Sequence, residues 1–333
     1  MRILVTGGAG FLGARLAREI LRRGQLAGQT VTELVIADLF PAPADLQADP
    51  RVKSHAGPML EQGDLLASGF DGVFHLASAV SGECELDFDL GMRSNLDSTR
   101  LLLDSIRRSG KVSRLVFASS VAVFGPYADQ PMPALVTDTT LPSPQTSYGT
   151  QKLMLEYLVA DQTRKGFIDG RSARLMTVTV RPGKPNGAAS SFFSGILREP
   201  LAGVESICPV DATVSHPVSS PGTTIRSLIA VFEASAATLG NRLALNLPGL
   251  NVTVQQMLDA LEKVGGKAVR NRVRFERDER IAGIVGNWAR GATSERANAL
   301  GLQADSSFES IIEQYIEDCR TQPGYPAEAL KGL

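Results

Sequence analysis

The sequence predicts an α/β protein built on a doubly wound parallel β-sheet, followed by a smaller C-terminal region. Two observations carry this prediction. Short apolar runs alternate with helical patterns through the first half of the chain, and glycines and polar residues directly follow those runs. Strands that are apolar throughout are typical of a parallel sheet covered by helices on both faces. Such sheets bind ligands at the carboxyl ends of their strands, so we expect the active site along that edge.

The elements follow in a regular order. Strands are predicted over residues 2–6, 33–37, 51–56, 71–78, 113–120 and 174–180, and helices over about 11–24, 94–109, 146–166, 223–237 and 253–264. Beyond residue 183 the alternation fades into polar, loop-rich pieces. We therefore expect a dinucleotide-binding domain over residues 1–182, to which residues 215–250 partly return. Residues 183–333 would form a smaller substrate-binding domain.

Composition excludes several classes of protein. The 333 residues carry 34 Lys and Arg against 35 Asp and Glu, a net charge of -1 that offers no field for binding nucleic acid. No apolar run reaches the roughly 18 residues that span a bilayer, and the N-terminus lacks the apolar core of a signal peptide. The three cysteines, Cys84, Cys208 and Cys319, are odd in number and far apart. They predict a cytoplasmic protein without a disulfide framework, and we expect no metal site.

A glycine-rich loop joins the first strand to the first helix. Residues 6–13 read TGGAGFLG and satisfy Gly-x-Gly-x-x-Gly from Gly8 and Gly-x-x-Gly-x-x-Gly from Gly7. Glycine lets the backbone turn sharply and approach a pyrophosphate, which the following helix N-terminus attracts. Because this loop lies between a strand and a helix, it predicts a dinucleotide site rather than an ordinary turn. The cofactor contacts predicted here are Gly7, Gly10, Phe11, Leu12 and Gly13.

Two acidic residues extend this prediction. Asp38 closes the second strand, where a carboxylate can accept both ribose hydroxyls and repel a 2′-phosphate. Leu39, Phe40 and Pro41 follow it, with no arginine among them, so the sequence favours NAD over NADP. Asp64 could accept a hydrogen bond from the adenine amino group, although a simple turn aspartate explains it nearly as well.

Tyr148 and Lys152 stand four residues apart on a predicted helix, on one face. A free phenol has a pKa of about 10, which a nearby ammonium lowers, so the phenolate can accept a hydroxyl proton while a hydride leaves. Ser120, at a strand end, could hydrogen-bond the substrate oxygen. Alone this motif is weak, and its alternative is a surface pair of side chains. Its place after a glycine loop and an acidic strand end favours catalysis.

Together these motifs resemble the extended short-chain dehydrogenase/reductases, the NAD-dependent epimerase/dehydratase family, over about residues 1–250. The resemblance rests on TGGAGFLG, Asp38, GD at 63–64, HLAS at 75–78, NLDST at 95–99, SSVAVFG at 119–125, YGTQK at 148–152 and VRPG at 180–183. It implies a Rossmann-type fold, bound NAD and catalysis by Ser120, Tyr148 and Lys152, with Ser119 the alternative to Ser120. It further implies cofactor contacts from Asp64, Leu65, Leu76, Ala77, Ser78 and Asn95, besides Tyr148 and Lys152.

Two segments depart from the pattern of nucleotide-sugar enzymes. Residues 81–91 and 183–194 resemble a group within the family that oxidises the sugar acid D-erythronate to 2-dehydro-D-erythronate. A four-carbon acid needs a cation or N–H donors for its carboxylate and polar partners for its hydroxyls. The substrate contacts expected on this basis are Ser81, Gly82, Ser120, Lys184, Asn186 and Ser190. Residues 184–194 could instead be only a polar loop entering the second domain.

Two other functions remain open from the sequence. One is a nucleotide-sugar 4-epimerase that keeps NAD bound and returns the hydride. The other is an NAD-binding regulator without catalysis, although the intact set of Ser120, Tyr148 and Lys152 argues against it. The helices that carry Leu101–Ile106 and Leu153–Leu158 are apolar enough to pack against a partner, and family members often dimerise through such helices. The sequence thus predicts a homodimer that acts on a small molecule.

Overall fold

The computed structural model describes residues 1–127, 129, 131–183 and 189–333. Its strands are β1 (Arg2–Thr6), β2 (Gln25–Leu26), β3 (Gln29–Thr30), β4 (Glu33–Asp38), β5 (Val52–Ala56), β6 (Gly72–His75), β7 (Arg114–Ser120), β8 (Asp169–Leu175), β9 (Thr177–Val178), β10 (Ser206–Cys208), β11 (Ser215–Ser219), β12 (Leu245–Asn246), β13 (Leu250–Thr253) and β14 (Val273–Phe275). Each of the first-half strands that the sequence predicts has a counterpart here, and the predicted α/β class is confirmed.

The helices are α1 (Phe11–Arg23), α2 (Ala44–Gln47), α3 (Gly63–Leu66), α4 (Ser81–Leu86), α5 (Phe88–Gly91), α6 (Ser98–Arg108), α7 (Ser147–Arg164), α8 (Phe192–Leu201), α9 (Pro221–Glu233), α10 (Ala236–Leu239), α11 (Val254–Gly265), α12 (Lys267–Arg270), α13 (Glu279–Gly286), α14 (Glu295–Ala299) and α15 (Phe308–Thr321). A π-helical segment, Met92–Asp97, leads into α6. Within the described residues, no helix has the length and apolar character required to cross a membrane.

Seven strands form the central sheet in the order β12-β8-β7-β6-β1-β4-β5. The ladders from β8 through β5 are parallel. The order runs outward in both directions from β1, as in a doubly wound sheet. Since Thr6 pairs with His75 and Ala37, the carboxyl ends of β1, β6 and β4 lie side by side. The predicted Rossmann-type sheet is confirmed.

One predicted strand is displaced in the structure. The apolar run 174–180 predicts a strand, whereas the central strand β8 occupies Asp169–Leu175 and only Thr177–Val178 continues as β9, which belongs to a different sheet. The reason is that β8 buries two arginines, Arg171 and Arg174. Because arginine is polar, the hydrophobic pattern of the sequence does not mark this segment as a buried strand. Each pairs with a carboxylate, Arg171 with the partly exposed Asp169 and Arg174 with the buried Glu156.

The chain divides into two compact units. Unit 1 comprises residues 1–120, 146–175 and 225–245, and unit 2 comprises residues 121–145, 176–224 and 246–333. An apolar cluster in unit 1 packs Phe70, Leu103 and Leu155 around the sheet, while unit 2 packs Phe193, Leu258 and Ile312 in its own cluster. These units differ in extent from the domains 1–182 and 183–333, which remain predictions.

Candidate active site

The glycine-rich loop is built by backbone contacts that exclude side chains. Gly7 has a φ of 69°, and a Cβ added there would lie 2.7 Å from the backbone nitrogen of Ala77. A Cβ on Gly13 would collide with the carbonyl oxygen of Gly7 and lie 2.6 Å from the Cα of Gly8. The N-cap of α1 is Gly10, which has no side chain, so the first N–H groups of the helix are left for a ligand. This cradle fits a pyrophosphate, and Phe11 and Leu12 begin the helix behind it.

Asp38 ends β4 beside this loop and is half-buried. Its Oδ2 accepts a hydrogen bond from the Ala9 N–H at 3.0 Å, and its Oδ1 accepts one from the Phe40 N–H at 3.2 Å. The carboxylate therefore holds the glycine loop in place and still has lone pairs for ribose hydroxyls. Asp64 lies exposed in the first turn of α3, and the adjacent Leu65 packs against the apolar cluster of unit 1.

His75 ends β6 and is buried between two threonine hydroxyls. Its Nδ1 lies 2.6 Å from Thr6 Oγ1, and its Nε2 lies 2.7 Å from Thr99 Oγ1. Because Thr99 donates its own proton to the Asn95 carbonyl, it accepts from His75, which fixes the Nε2–H tautomer. Burial lowers the pKa of His75 to about 3, so the ring is neutral and acts in packing rather than as a base.

Residues 76–79 follow β6 and are anchored by Asn95, which lies in the π-helical segment and is 1% exposed. Asn95 Oδ1 accepts hydrogen bonds from the Ala79 N–H at 2.7 Å and the Ser78 hydroxyl at 3.0 Å. Its Nδ2 donates to Gln151 Oε1 at 2.7 Å. This amide therefore ties the loop that carries Leu76, Ala77 and Ser78 to α7. Irregular π turns of this kind often occur at functional sites.

Helix α7 begins where the sequence predicts, with the Thr146 hydroxyl accepting the Gly149 N–H at 3.0 Å. One turn into this helix, the Lys152 side chain is buried, and its Nζ donates to the Ala118 carbonyl at 2.8 Å. The same Nζ lies 5.5 Å from the centre of the half-buried Tyr148 ring. Burial lowers the pKa of Lys152 to about 8, and the charge of Glu156 opposes that shift.

The catalytic residues predicted from the sequence thus lie at one end of unit 1. Ser120 is the last residue of β7, two residues beyond Ala118, and is half-buried. Tyr148 and Lys152 share one face of α7, as their four-residue spacing predicts. Two further residues of the same helix, Glu156 and Gln151, are also buried but are not among the residues predicted from the sequence. The sequence signal that could have identified them is helical spacing, since Glu156 follows Lys152 by four residues and Gln151 follows Tyr148 by three.

The predicted substrate residues are distributed differently. Ser81 and Gly82 form the half-buried start of α4 in unit 1. Ser190 lies in unit 2, in a short 3₁₀ turn, where its Oγ accepts a hydrogen bond from Arg181 at 3.1 Å. Lys184 and Asn186 lie outside the described residues. The structure therefore places the cofactor and catalytic candidates in unit 1, whereas their roles and the substrate contacts remain predictions.

A second concave feature lies within unit 2. This unit 2 cavity has a volume of about 690 Å³. Its lining residues are Ala189, Ser191, Phe192, Gly195, Glu199, Glu205, Ser206, Ile207, Pro209, Glu276, Arg277, Asp278, Glu279 and Ile281. Burial raises the pKa of the Glu199 carboxyl. Among the side chains that the structure describes, no three His, Cys, Asp or Glu residues gather as a metal site would require, so the absence of a metal stays a prediction.

Comparison with known proteins agrees with this geometry. The chain is 47% identical over 325 residues to D-erythronate dehydrogenase of Cupriavidus necator, which covers 96% of this chain and 98% of that protein. It is 40% identical to D-erythronate dehydrogenase of Haemophilus influenzae, across 95% of this chain and 99% of that protein. A crystal structure described as the nucleoside-diphosphate-sugar epimerase from Agrobacterium tumefaciens superposes with a TM-score of 0.90 at 42% identity, covering 96% of this chain and 94% of the other.

The family model that matches the chain spans residues 3–239, which include the glycine cradle, Asp38, Asn95 and both residues of the tyrosine–lysine pair. Its description is NAD dependent epimerase/dehydratase. The family resemblance drawn from the sequence motifs is confirmed by this match and by the two full-length relatives. This chain belongs to the NAD-dependent epimerase/dehydratase family.

Proposed function

We propose that this protein is an NAD-dependent dehydrogenase that oxidises D-erythronate to 2-dehydro-D-erythronate. The observation that carries the proposal is the buried Lys152 ammonium, held on the Ala118 carbonyl and 5.5 Å from the Tyr148 ring. Oxidation of an alcohol removes a proton from oxygen and a hydride from carbon. A nearby ammonium favours ionisation of the phenol, and the resulting phenolate can accept the proton, while NAD would supply the hydride acceptor when it is bound.

Three residues of unit 1 perform the proposed chemistry. Tyr148 takes the hydroxyl proton of the substrate as the general base. Lys152 stabilises the phenolate by its positive charge, because a nearby cation favours the ionised form of an acid. Ser120 orients the substrate oxygen by a hydrogen bond. A buried ammonium acts over a short distance in a medium of low dielectric, so its effect on the phenol is larger than on a protein surface.

The proposed cofactor site uses the carboxyl-end edge of the sheet in unit 1. The cradle of Gly7, Gly10 and Gly13, continued by Phe11 and Leu12, would hold the pyrophosphate, and Asp38 would hold the adenosine ribose. Asp64 and Leu65 would contact the adenine. Leu76, Ala77 and Ser78, fixed by Asn95, would line the path towards the nicotinamide. Lys152 and Tyr148 would contact the nicotinamide ribose.

The identity of the substrate is supported by the relatives named D-erythronate dehydrogenase. Ser81 and Gly82 at the start of α4 would contribute a hydroxyl and an N–H donor. Lys184, Asn186 and Ser190 would bind the carboxylate and the hydroxyl groups. These assignments can be tested by a structure with D-erythronate bound, in which contacts from other side chains would contradict them.

Tyr148→Phe tests the catalytic assignment. Removal of the phenol oxygen should lower kcat by about 10²–10⁴, the range for loss of a general base, while NAD binding stays close to that of the parent protein. The measurements are NADH formation with D-erythronate and calorimetric titration with NAD. Tyr157→Phe is the matched control, because Tyr157 lies on the same helix but is 56% exposed. Full turnover by Tyr148→Phe would contradict the proposal.

A nucleotide-sugar 4-epimerase is the alternative, favoured by the description of the Agrobacterium tumefaciens structure. A dehydrogenase releases NADH in proportion to the sugar acid consumed, whereas an epimerase returns its hydride and accumulates none. Incubation with excess NAD and either D-erythronate or a UDP-hexose therefore separates the two functions. Steady NADH formation with D-erythronate supports the dehydrogenase. Interconversion of the UDP-hexose without net NADH would support the epimerase.

Two further properties belong to the proposal. We expect a homodimer that packs through α6 and α7, and light scattering should give twice the mass of the chain; a monomer would contradict this.

We also expect a cytoplasmic protein, in keeping with its small-molecule chemistry. Fractionation of the source cells tests that location.

A further inference from the structure

A buried ion pair lies one helical turn beyond Lys152. The side chains of Glu156 and Arg174 are 4% and 6% exposed. Arg174 binds both carboxylate oxygens, with Nε at 2.9 Å from Oε1 and a terminal nitrogen at 2.7 Å from Oε2. The Ser119 hydroxyl donates to the same carboxylate at 2.5 Å. Both oxygens of Glu156 are therefore engaged, and its charge is paired with that of a guanidinium on the neighbouring strand β8.

This arrangement removes the carboxylate that Lys152 would otherwise use. Glu156 follows Lys152 by four residues, the spacing at which helical side chains of opposite charge pair. Arg174 holds Glu156 instead, and the Lys152 ammonium rests on the uncharged carbonyl of Ala118 at 2.8 Å. The Ala118 carbonyl and the Ser119 hydroxyl are consecutive on β7, so α7 uses two successive turns to bind two successive residues of one strand.

We propose that Arg174 is a positioning residue that acts through Glu156 on the Tyr148–Lys152 pair. By neutralising Glu156, it preserves the positive field of Lys152 at the phenol. The inference rests on the proposed function, in which that phenol is the base. Without Arg174, the Glu156 carboxylate would pair with Lys152 and cancel much of its effect on Tyr148. Strand β8, whose position hydrophobic periodicity does not predict, would thus carry a residue that adjusts the pKa of Tyr148.

Other titratable groups near the pair do not change in the test. His75 on β6 is neutral, because burial lowers its pKa to about 3. Burial raises the pKa of the Cys84 thiol on α4. The Glu85 carboxylate accepts the Ser147 N–H at 2.6 Å on the exposed side of α7, where solvent screens it. Substitution at Glu156 or Arg174 therefore changes one charge while these three remain.

The two halves of the ion pair predict pKa shifts of opposite sign at Tyr148. Glu156→Gln leaves Arg174 uncompensated and adds positive charge, so the Tyr148 pKa should fall. Arg174→Met leaves Glu156 uncompensated and adds negative charge, so that pKa should rise. Each shift should be roughly one pH unit, the effect of a unit charge several ångströms away at an effective dielectric near 20. The double variant, Glu156→Gln with Arg174→Met, restores neutrality and should return the pKa close to its original value.

The experiment measures the pKa of Tyr148 in two ways. Ultraviolet difference titration of phenolate formation in the cofactor-free protein, with Tyr148→Phe as the blank, reports the group directly. The pH profile of kcat/KM with NAD and D-erythronate reports the same ionisation through its acidic limb. Arg174→Lys, which keeps the charge, and Ser119→Ala, which removes only a hydrogen bond, are the controls. Neither control should move the titration by more than a small fraction of the shift.

The outcomes separate electrostatic control from packing. Shifts of opposite sign that cancel in the double variant support the proposal. Shifts of equal sign, or none, would leave Arg174 with a packing role only and overturn it. If Arg174→Met does not fold, Glu156→Gln and the double variant still give the required comparison. Failure of the parent protein to oxidise D-erythronate would contradict the proposed function, while the titration without substrate would still judge this inference.

Discussion

Charged side chains differ in burial and pairing between the carboxyl-end edge of the sheet in unit 1 and the unit 2 cavity. At the edge, the Lys152 ammonium is 3% exposed and rests on a carbonyl group. In the cavity, Arg277 is exposed and pairs with Glu279 at 2.8 Å and with Asp211. Surface pairs contribute little to stability, whereas an ammonium buried without a carboxylate lowers it. The destabilising buried charge thus lies at the edge where the proposed chemistry would use it.

We expect the largest effect from a substitution in the glycine cradle at the edge of unit 1, where backbone contacts leave no room for a side chain. Gly13→Ala should lower the free energy of unfolding by about 1–3 kcal/mol and abolish measurable NAD binding, because the new Cβ would overlap the backbone of Gly7 and Gly8. Gly283→Ala in α13 of unit 2 is the control, since open space surrounds that position and alanine favours a helix. Denaturant unfolding and calorimetry measure both variants. Normal NAD affinity in Gly13→Ala would contradict the close approach.

Lys152→Met tests the stability cost at the edge itself. Burial lowers the pKa of Lys152 from 10.5 to about 8. The penalty is therefore fully present below pH 8 and disappears as the pH rises towards 10.5. Near pH 7 the variant should be more stable by up to about 3 kcal/mol, while kcat falls sharply.

The matched control for Lys152→Met is Lys263→Met, whose ammonium is 71% exposed and pairs with Glu309 on the surface of unit 2. It should leave the unfolding midpoint and the turnover almost unchanged. Denaturant unfolding at pH 7 and pH 10 measures both variants. A Lys152→Met protein less stable than the parent at pH 7 would show that the lost contacts outweigh the buried charge.

The two buried histidines sharpen the comparison, because each unit has one. Burial lowers the pKa of His75 to about 3 and that of His216 to about 4. Above pH 6.5 both are neutral in the folded and unfolded states. As the pH falls below 6.5, the unfolded chain binds protons that the native protein does not, so stability is lost. We expect about 2 kcal/mol for each histidine between pH 6.5 and pH 5.

Unfolding of His75→Gln and His216→Gln between pH 5 and pH 7 measures these two contributions separately. Each substitution should flatten part of the pH dependence, and the exposed His55 supplies the control variant His55→Gln. Equal contributions from both units would show that burial alone sets the cost. A slope that survives both substitutions would assign the acid sensitivity to other groups.

The smallest expected effect concerns Asp38. Asp38→Asn keeps an oxygen for the Ala9 N–H but removes the charge that repels a 2′-phosphate. NAD affinity should fall about tenfold, or about 1.4 kcal/mol, and the preference for NAD over NADP should narrow. Calorimetric titration with each dinucleotide measures both. Asp104→Asn on the exposed face of α6 is the control, and an unchanged preference in Asp38→Asn would remove Asp38 from the cofactor site.

The sequence predicted those parts of the fold that depend on backbone geometry and apolar burial. The glycine loop was legible because only glycine satisfies its close contacts, and α7 was legible because Thr146 caps it and Gly166 ends it with a φ of 72°. Strand β8 was misplaced because its two buried arginines pair with carboxylates, Arg171 with Asp169 on the same strand and Arg174 with Glu156 on α7. Hydrophobic periodicity depends on the polarity of each residue and carries no information about the residue with which it pairs in the fold.

The candidate site divides along the same line. Tyr148 and Lys152 were found from spacing, since helical geometry makes four-residue neighbours share a face. The hydrogen bonds of Asn95 to Ser78 and Ala79 could not be derived from spacing, because they depend on how a helix and a loop meet in space. Every predicted substrate contact depends on how separate segments pack against each other, so spacing in the sequence cannot establish any of them.

The π-helical segment Met92–Asp97 has a consequence for how this architecture can change. A turn closed by i→i+5 hydrogen bonds holds one residue more than a regular helical turn. Deleting one residue upstream of Asn95 in this segment would restore the α-helix and rotate the preceding chain by roughly 100°. The α4–α5 region would then lose its register with the amide that secures residues 78 and 79. We therefore expect a single-residue deletion in this segment to disrupt the anchoring of residues 78 and 79 by Asn95, although it removes no residue of the proposed site.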